Sequence, residues 1–238
     1  MLYLLPNLLD ENSAHELFLP ISVDKVVAKL DGLVAESEKG GRHFLRRFAF
    51  PEPKTFRDMP IRLLNEHSTE KDLDELMEPL KKRENWGLIS DCGLPCLADP
   101  GSKLVRRCHA LNIPVEALVG PSSIVMALML SGLPAQSFAF HGYLERETPL
   151  LAKQLQLLEE RSLKEKSTHV CIEAPYRSPR MLETLIHNLK DTTLLCVAWD
   201  LALPTQRVIV LSVSRWKKFT LPNLEKKPCV FLFASASN

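Results

Sequence analysis

The sequence carries almost no net charge: 30 lysines and arginines face 29 aspartates and glutamates, a formal +1. That balance excludes a protein that grips nucleic acid through its overall field, so any phosphate contact must come from a local basic patch. No apolar stretch approaches the roughly 20 residues of a membrane-spanning helix. The opening run Met1–Leu5 stops at Pro6 without a basic flank, so no secretory signal is expected either. Among the six cysteines, Cys92 and Cys96 are closely spaced, but no second Cys/His pair stands at zinc spacing, and no metal site is expected. Repeats and low-complexity segments are also missing. These absences describe a cytoplasmic protein with reduced thiols.

What is present reads as alternating strands and helices. Leu2–Leu5 is a buried strand ended by Pro6 and Asn7. Ser22 is placed to cap a helix with Val26, Val27 and Leu30 on one face, and a short strand follows at Leu33–Ala35. Arg42–Phe48 has Phe44, Leu45 and Phe48 at helical spacing, and Pro51, Pro53 and Pro60 break the next stretch into loop. Thr69 and Asp72 have capping-box spacing ahead of Leu73, Leu76 and Leu80. Strand Trp86–Ser90, a loop to Gly101, a helix, strand Val115–Val119 and a helix begun by Ser122 or Ser123 complete a mainly parallel α/β pattern. In the second half, apolar runs at Phe138–Tyr143, Thr168–Ile172, Leu194–Ala198, Arg207–Val213 and Cys229–Phe233 predict a mixed sheet, with helices at Leu150–Leu163 and Pro179–Leu189. The boundary between two domains, 1–119 and 120–238, is expected near Val119–Ser123.

The most informative segment runs from Gly87 to Gly101. It places Ser90, Asp91, Gly93 and Gly101 in a loop at the carboxyl end of a strand, where open parallel sheets put their ligands. Glycine there lets bare backbone approach a ligand, although a plain strand–loop–helix with turn residues has the same composition. The specific residues go further. Ser90-Asp91-x-Gly93-x-Pro95 followed by Asp99-Pro100-Gly101 resembles the signature of the bacterial 16S rRNA ribose 2′-O-methyltransferase I family, within the tetrapyrrole-methylase superfamily. Ala35-Glu36 with Arg42, then Asn65-Glu66-His67, then Gly120-Pro121-Ser122-Ser123 through Gly132-Leu133-Pro134, then Glu173-Ala174-Pro175-Tyr176-Arg177 match further family segments in order. The resemblance covers nearly the whole chain. Departures are the glycine-free first loop, where Pro6 leads into Asn7-Leu8-Leu9-Asp10, and Ser37 in place of the family's aspartate.

The resemblance implies two α/β domains of the tetrapyrrole-methylase fold with the active site in the cleft between them, and S-adenosylmethionine as cofactor. Donor contacts would come from Pro6, Ser90, Asp91, Cys92, Gly93, Pro95, Ser122 and Ser123, and from Glu173, Ala174 and Leu201. Glu36, His67 and Glu173 are the catalytic candidates, and Arg42 and Arg177 the substrate-binding ones. His67 titrates near neutrality, but an exposed loop histidine fits its context equally. Glu36 closes a strand facing the expected cleft. Arg42, Arg46 and Arg47 could grip phosphate or form a solvated face. Glu173 and Arg177 could pair to shape the pocket. Tyr176 and Trp199 could stack on a base, with core packing the better reading for Trp199. The function implied is ribose methylation of small-subunit ribosomal RNA by a homodimer without membrane contact. The alternatives are a tetrapyrrole or other small-molecule acceptor, or a donor-binding protein without catalysis.

Overall fold

A computed structural model describes residues 1–235, which divide at Ser122/Ser123 into two compact units. The first is built on strands β1 (Leu2–Leu4), β2 (Gly32–Ala35), β3 (Ile61–Leu63), β4 (Trp86–Leu88) and β5 (Val115–Ala117). All pair in parallel in the order β3-β2-β4-β1-β5. Alternate side chains along each strand go to opposite faces. Tyr3, Leu33 and Ala35 join the core under helices α1 (Ile21–Val27) and α2 (Glu38–Leu45), while Leu2, Val34, Trp86 and Leu88 join the core under α3 (Glu70–Lys81) and α4 (Gly101–Ala110). A sheet covered on both faces needs apolar residues at every position, which the fully buried β2 and β4 supply.

Local chemistry sets the helix starts. Ser37 accepts a hydrogen bond from Gly40 N and caps α2, which therefore begins four residues before Arg42. Thr69 and Asp72 make the reciprocal capping box that opens α3. Ser22 is not a cap: α1 begins at Ile21 behind Pro20, with no side-chain hydrogen bond, because proline's fixed φ already suits a helix entrance. Strand β3 lies where loop was expected. Three residues behind Pro60 are too few to show alternation, and pairing with β2 holds them extended.

The second unit opens with helix α5 (Ser123–Ser131) and has the sheet order β6-β7-β10-β8-β9, from β6 (Phe138–Tyr143), β7 (Thr168–Glu173), β8 (Leu194–Trp199), β9 (Arg207–Ser212) and β10 (Cys229–Ala234). Only β6 and β7 pair in parallel; the other pairs are antiparallel, making the sheet mixed. Helices α6 (Thr148–Glu165), α7 (Ser178–Asn188) and α8 (Val213–Trp216) pack on the face carrying Cys171, Val197, Phe231 and Phe233, while α5 packs against β8, β9 and β10. Trp199 is buried in this core, as its place on an apolar strand implied. No helix among the described residues is long and apolar enough to cross a membrane.

Candidate active site

In the first unit a parallel sheet brings every strand's carboxyl end to one edge, and the loops that leave those ends are bonded to one another. Asn7, directly after β1 and Pro6, is the hub. Its N–H donates to Gly93 O at 2.7 Å, and its side-chain amide donates to Ser90 O and Asp91 O, both at 3.0 Å. Its Oδ1 accepts from Leu8 N at 2.9 Å and Arg47 Nη1 at 3.0 Å. A buried amide with donors and acceptor all engaged locks the loop after β1 to the loop after β4. Sequence reasoning missed this residue, registering only the glycine that the position next to it lacks. The sole signal was an asparagine inside an otherwise apolar strand exit.

Two glycines make close approach possible. A Cβ on Gly120 would sit 2.0 Å from Pro6 Cβ, so the loop after β5 lies flush on the loop after β1 only because residue 120 has no side chain. Gly93 adopts φ +72°, a conformation that suits glycine, and its open face meets only Leu9 and Pro121 O at ordinary contact distance.

Glu36, immediately after β2, joins the same edge. Its Oε1 accepts from Asp91 N at 3.0 Å, and its carbonyl accepts from Asn65 Nδ2 at 3.2 Å, tying the ends of β2, β3 and β4 together. Burial pushes its carboxyl above the ordinary range, and the neighbouring charges of Asp91, Asp99 and Glu66 add to this. Asp99 is likewise pushed up by burial; one of its oxygens accepts from Gly101 N, and the other is buried without a partner. Ser90 turns inward, its hydroxyl donating to Cys92 O at 2.9 Å. Burial raises the Cys92 thiol to about 11 and the Cys96 thiol to about 12, so both are protonated and neither is a ready metal ligand. No group of His, Cys, Asp and Glu among the described residues is arranged to hold a metal ion.

Two residues expected here are placed differently. The side chain of His67 is 86% exposed and faces only Glu66, 3.5 Å away, so it has the surroundings of a surface loop histidine. Arg42 does not extend into a free basic face. Its guanidinium donates to Phe56 O at 2.9 Å and Met59 O at 2.6 Å and pairs with Glu38, fastening α2 to the loop before β3. Arg47 turns to Asn7 and Arg46 is exposed, so the three arginines do not act as one patch.

In the second unit, Glu173 and Trp199 end β7 and β8 and stand opposite Cys229 from either side, so Ala174 and Leu201 leave the sheet at the same edge. Glu173 is buried. Its Oε1 accepts from Ala174 N at 2.8 Å, and Arg177 Nη2 lies 3.1 Å from Oε2. Tyr176, beside that pair, is 74% exposed.

A family model described as Tetrapyrrole (Corrin/Porphyrin) Methylases matches residues 22–215. Ribosomal RNA small subunit methyltransferase I of Thermotoga maritima is 28% identical over 167 residues, 70% of each chain. The proteins of that name from Bacillus subtilis and Vibrio cholerae are 32% and 30% identical, over 56% and 69% of this chain and 44% and 53% of their own. The chain thus spans 70% of the first relative and about half of the other two. Among solved structures, the methyltransferase CobJ is similar with a TM-score of 0.63 at 15% identity, over 99% of this chain and 93% of that one. Uroporphyrin-III-C-methyltransferase from Thermus thermophilus follows at 0.54 and 16%, over 98% and 91%. At such identities these two structures speak to the fold alone.

Proposed function

Because the chain belongs to the tetrapyrrole (corrin/porphyrin) methylase family, we propose that it is an S-adenosylmethionine-dependent methyltransferase acting on a ribose 2′-hydroxyl of small-subunit ribosomal RNA. The observation that carries the reading is the bonded edge of the first sheet, where Asn7, Gly93 and Gly120 bring three loops into contact at the strand ends. The residues there suit a cationic donor: Glu36, Asp91 and Asp99 cluster at the edge, and Asp99 leaves a buried oxygen unpartnered. The donor, when bound, supplies an electrophilic methyl group.

In this reading Pro6, the Ser90–Gly93 loop, Pro95, Ser122 and Ser123 hold the donor, with Glu173, Ala174 and Leu201 completing its contacts. Holding donor and acceptor in line removes several kcal/mol of barrier, up to about 7–11 in well-oriented systems. The attacking hydroxyl must lose its proton as the bond forms. Glu36 is the proposed acceptor of that proton, at Oε2, because Oε1 is occupied by Asp91 N and because a carboxyl raised toward neutrality is the better base. His67 remains a candidate only if its loop turns inward when RNA binds. The relatives' names favour RNA over a tetrapyrrole acceptor. The reading carries with it a cytoplasmic homodimer, to be checked by cell fractionation and sedimentation velocity.

The test is calorimetry with S-adenosylhomocysteine, followed by methyl transfer from radiolabelled donor into undermethylated small subunits. Binding at roughly micromolar Kd, with label recovered in rRNA, is expected. Absence of binding would falsify the methyltransferase reading. Label in a low-mass product, with none in rRNA, would move the acceptor to a small molecule.

A further inference from the structure

A basic cluster in the second unit lies apart from the loops assigned to the donor in the first. Arg146, Arg177 and Arg180 converge on one narrow pocket, lined also by Thr148, Thr184 and Glu173. They come from three places: the segment before α6, the turn after β7, and the first turn of α7. Three guanidinium groups against a single carboxylate leave the pocket with two positive charges in excess. Glu145 and Glu147, the chain neighbours of Arg146, line a separate depression instead.

The three arginines are not equivalent. Arg177 is held by the buried carboxylate of Glu173, whose Oε2 has no hydrogen bond of good geometry. Arg146 and Arg180 are exposed, and neither has a hydrogen bond or ion pair from its guanidinium to any described residue. Guanidinium groups gathered without partners around a fixed third are arranged for a ligand with several oxygens, since each presents a planar fork of donors. The pocket's interior is about 20 Å³, room for one water-sized group. One oxygen of a tetrahedral anion can enter while the others stay at the rim. Beside the cluster, Tyr176 presents an almost fully exposed ring. An exposed aromatic ring next to a phosphate-sized cationic site is the pairing that single-stranded nucleic acid uses, the base stacking while the backbone is neutralised.

We infer that Arg146, Arg177 and Arg180 bind a backbone phosphate of the RNA strand, with Tyr176 stacking on an adjacent base; this rests on the proposed RNA acceptor. Arg177 is the positioned member and Arg146 and Arg180 are the responsive ones. The site replaces the basic face that Arg42, Arg46 and Arg47 do not form.

The experiment uses the full chain and undermethylated small subunits, titrated at several salt concentrations. In the double variant R146E/R180E, the plot of log affinity against log salt should flatten by about 1.4, at about 0.7 per phosphate contact on a single strand. R146K/R180K should keep most of the slope, because the charge remains. Thermal melting and S-adenosylhomocysteine affinity should match the wild type in both, since the two side chains hold nothing else in place. Wild-type binding with an unchanged slope in R146E/R180E overturns this site and leaves the RNA acceptor standing. A wild type that shows no salt-dependent subunit binding overturns both. Weaker binding of an acidic tetrapyrrole by R146E/R180E, with RNA affinity untouched, assigns the arginines to a carboxylate ligand and overturns the inference.

Discussion

The two sheets end their strands in different ways. In the first unit, the loops leaving β1, β2, β3 and β4 are joined by hydrogen bonds through Asn7, Glu36 and Asn65, and the loop after β5 packs against Pro6 through Gly120. In the second, the ends of β7 and β8 meet only through β10 between them, and the exposed arginines beyond β7 are free. Parallel strands put all their carboxyl ends on one side, so their exit loops must pack together. A mixed sheet spreads those ends over both sides, and each exit is left to its own partners. The first arrangement is rigid and intolerant of added atoms. The second leaves side chains available to a ligand.

The largest expected effect is therefore at the tightest contact of the first unit. Gly120→Val places a branched carbon inside the van der Waals radius of Pro6 Cβ, where backbone must move. Overpacking of this kind is expected to cost about 3 kcal/mol or more, seen as a lowered urea midpoint and lost binding of S-adenosylhomocysteine. Wild-type values for both would mean that the two loops do not touch as described.

The second unit has its own weak point, in its response to pH. His169 is fully buried on β7, with Nδ1 2.7 Å from Nε2 of His141 on β6; Arg161 and Glu165 of α6 face the pair. Burial, then the charges of His141 and Arg161, lowers its pKa from 6.5 to about 4. The folded state keeps the ring neutral, while the unfolded chain takes up a proton below 6.5. Stability from this group is complete above about 6.5 and drains away as pH falls toward 4, up to about 3 kcal/mol. Glu36 in the first unit works in the opposite sense: its raised carboxyl favours the fold below the ordinary carboxylate range, and that contribution is lost as pH rises. Denaturant unfolding between pH 4 and 7 should show stability climbing with pH, and His169→Leu should flatten the climb. An identical slope in the variant would remove the histidine from the account.

Next in size is Asn7→Ala. It leaves the carbonyls of Ser90 and Asp91 without their buried donor and frees Arg47, at an expected cost of about 2–3 kcal/mol. Because the hub sits between donor loops, affinity for S-adenosylhomocysteine should fall along with stability. A stable variant with normal affinity would show that the missing glycine of this loop has some other compensation.

These sites also mark what could be read from sequence. Elements with a strong local signal were legible: the Thr69–Asp72 capping box, the turn-rich loop at Asp91–Gly101, and the apolar runs that became β7, β8 and β10. The pairing of Glu173 with Arg177 was also legible, because both lie within one turn of chain. Asn7, the Gly120–Pro6 contact and the meeting of Arg146 with Arg180 were not. Each joins positions far apart in sequence through packing, and neither composition nor periodicity records which loops will touch. Arg42 failed for the complementary reason. Its spacing from Arg46 and Arg47 suggested a common face, but nothing local reveals that carbonyls 14 and 17 residues downstream claim its guanidinium.

Arg42 supplies the smallest and most discriminating test of the contrast between the units. In the structure its bonds to Phe56 O and Met59 O brace the loop that leads into β3, and its pairing with Glu38 is mostly exposed. An exposed i,i+4 pair contributes only a few tenths of a kcal/mol, so the two carbonyl bonds decide the outcome. Arg42→Ala is expected to lose about 1–2 kcal/mol of stability through the first unit, with no change in the salt dependence of RNA binding. Arg146 and Arg180 should do the reverse, changing the salt dependence and leaving stability alone. The two measurements on the two variants form a cycle in which each arginine set affects one readout. If Arg42→Ala melts like the wild type but flattens the salt dependence, the guanidinium is on phosphate rather than on the carbonyls, and the basic site belongs to the first unit. If it moves both readouts together, loss of the β3 approach is disturbing RNA contacts indirectly. Arg42→Lys then separates the two causes, because an ammonium restores the charge without reproducing the bonds to both carbonyls.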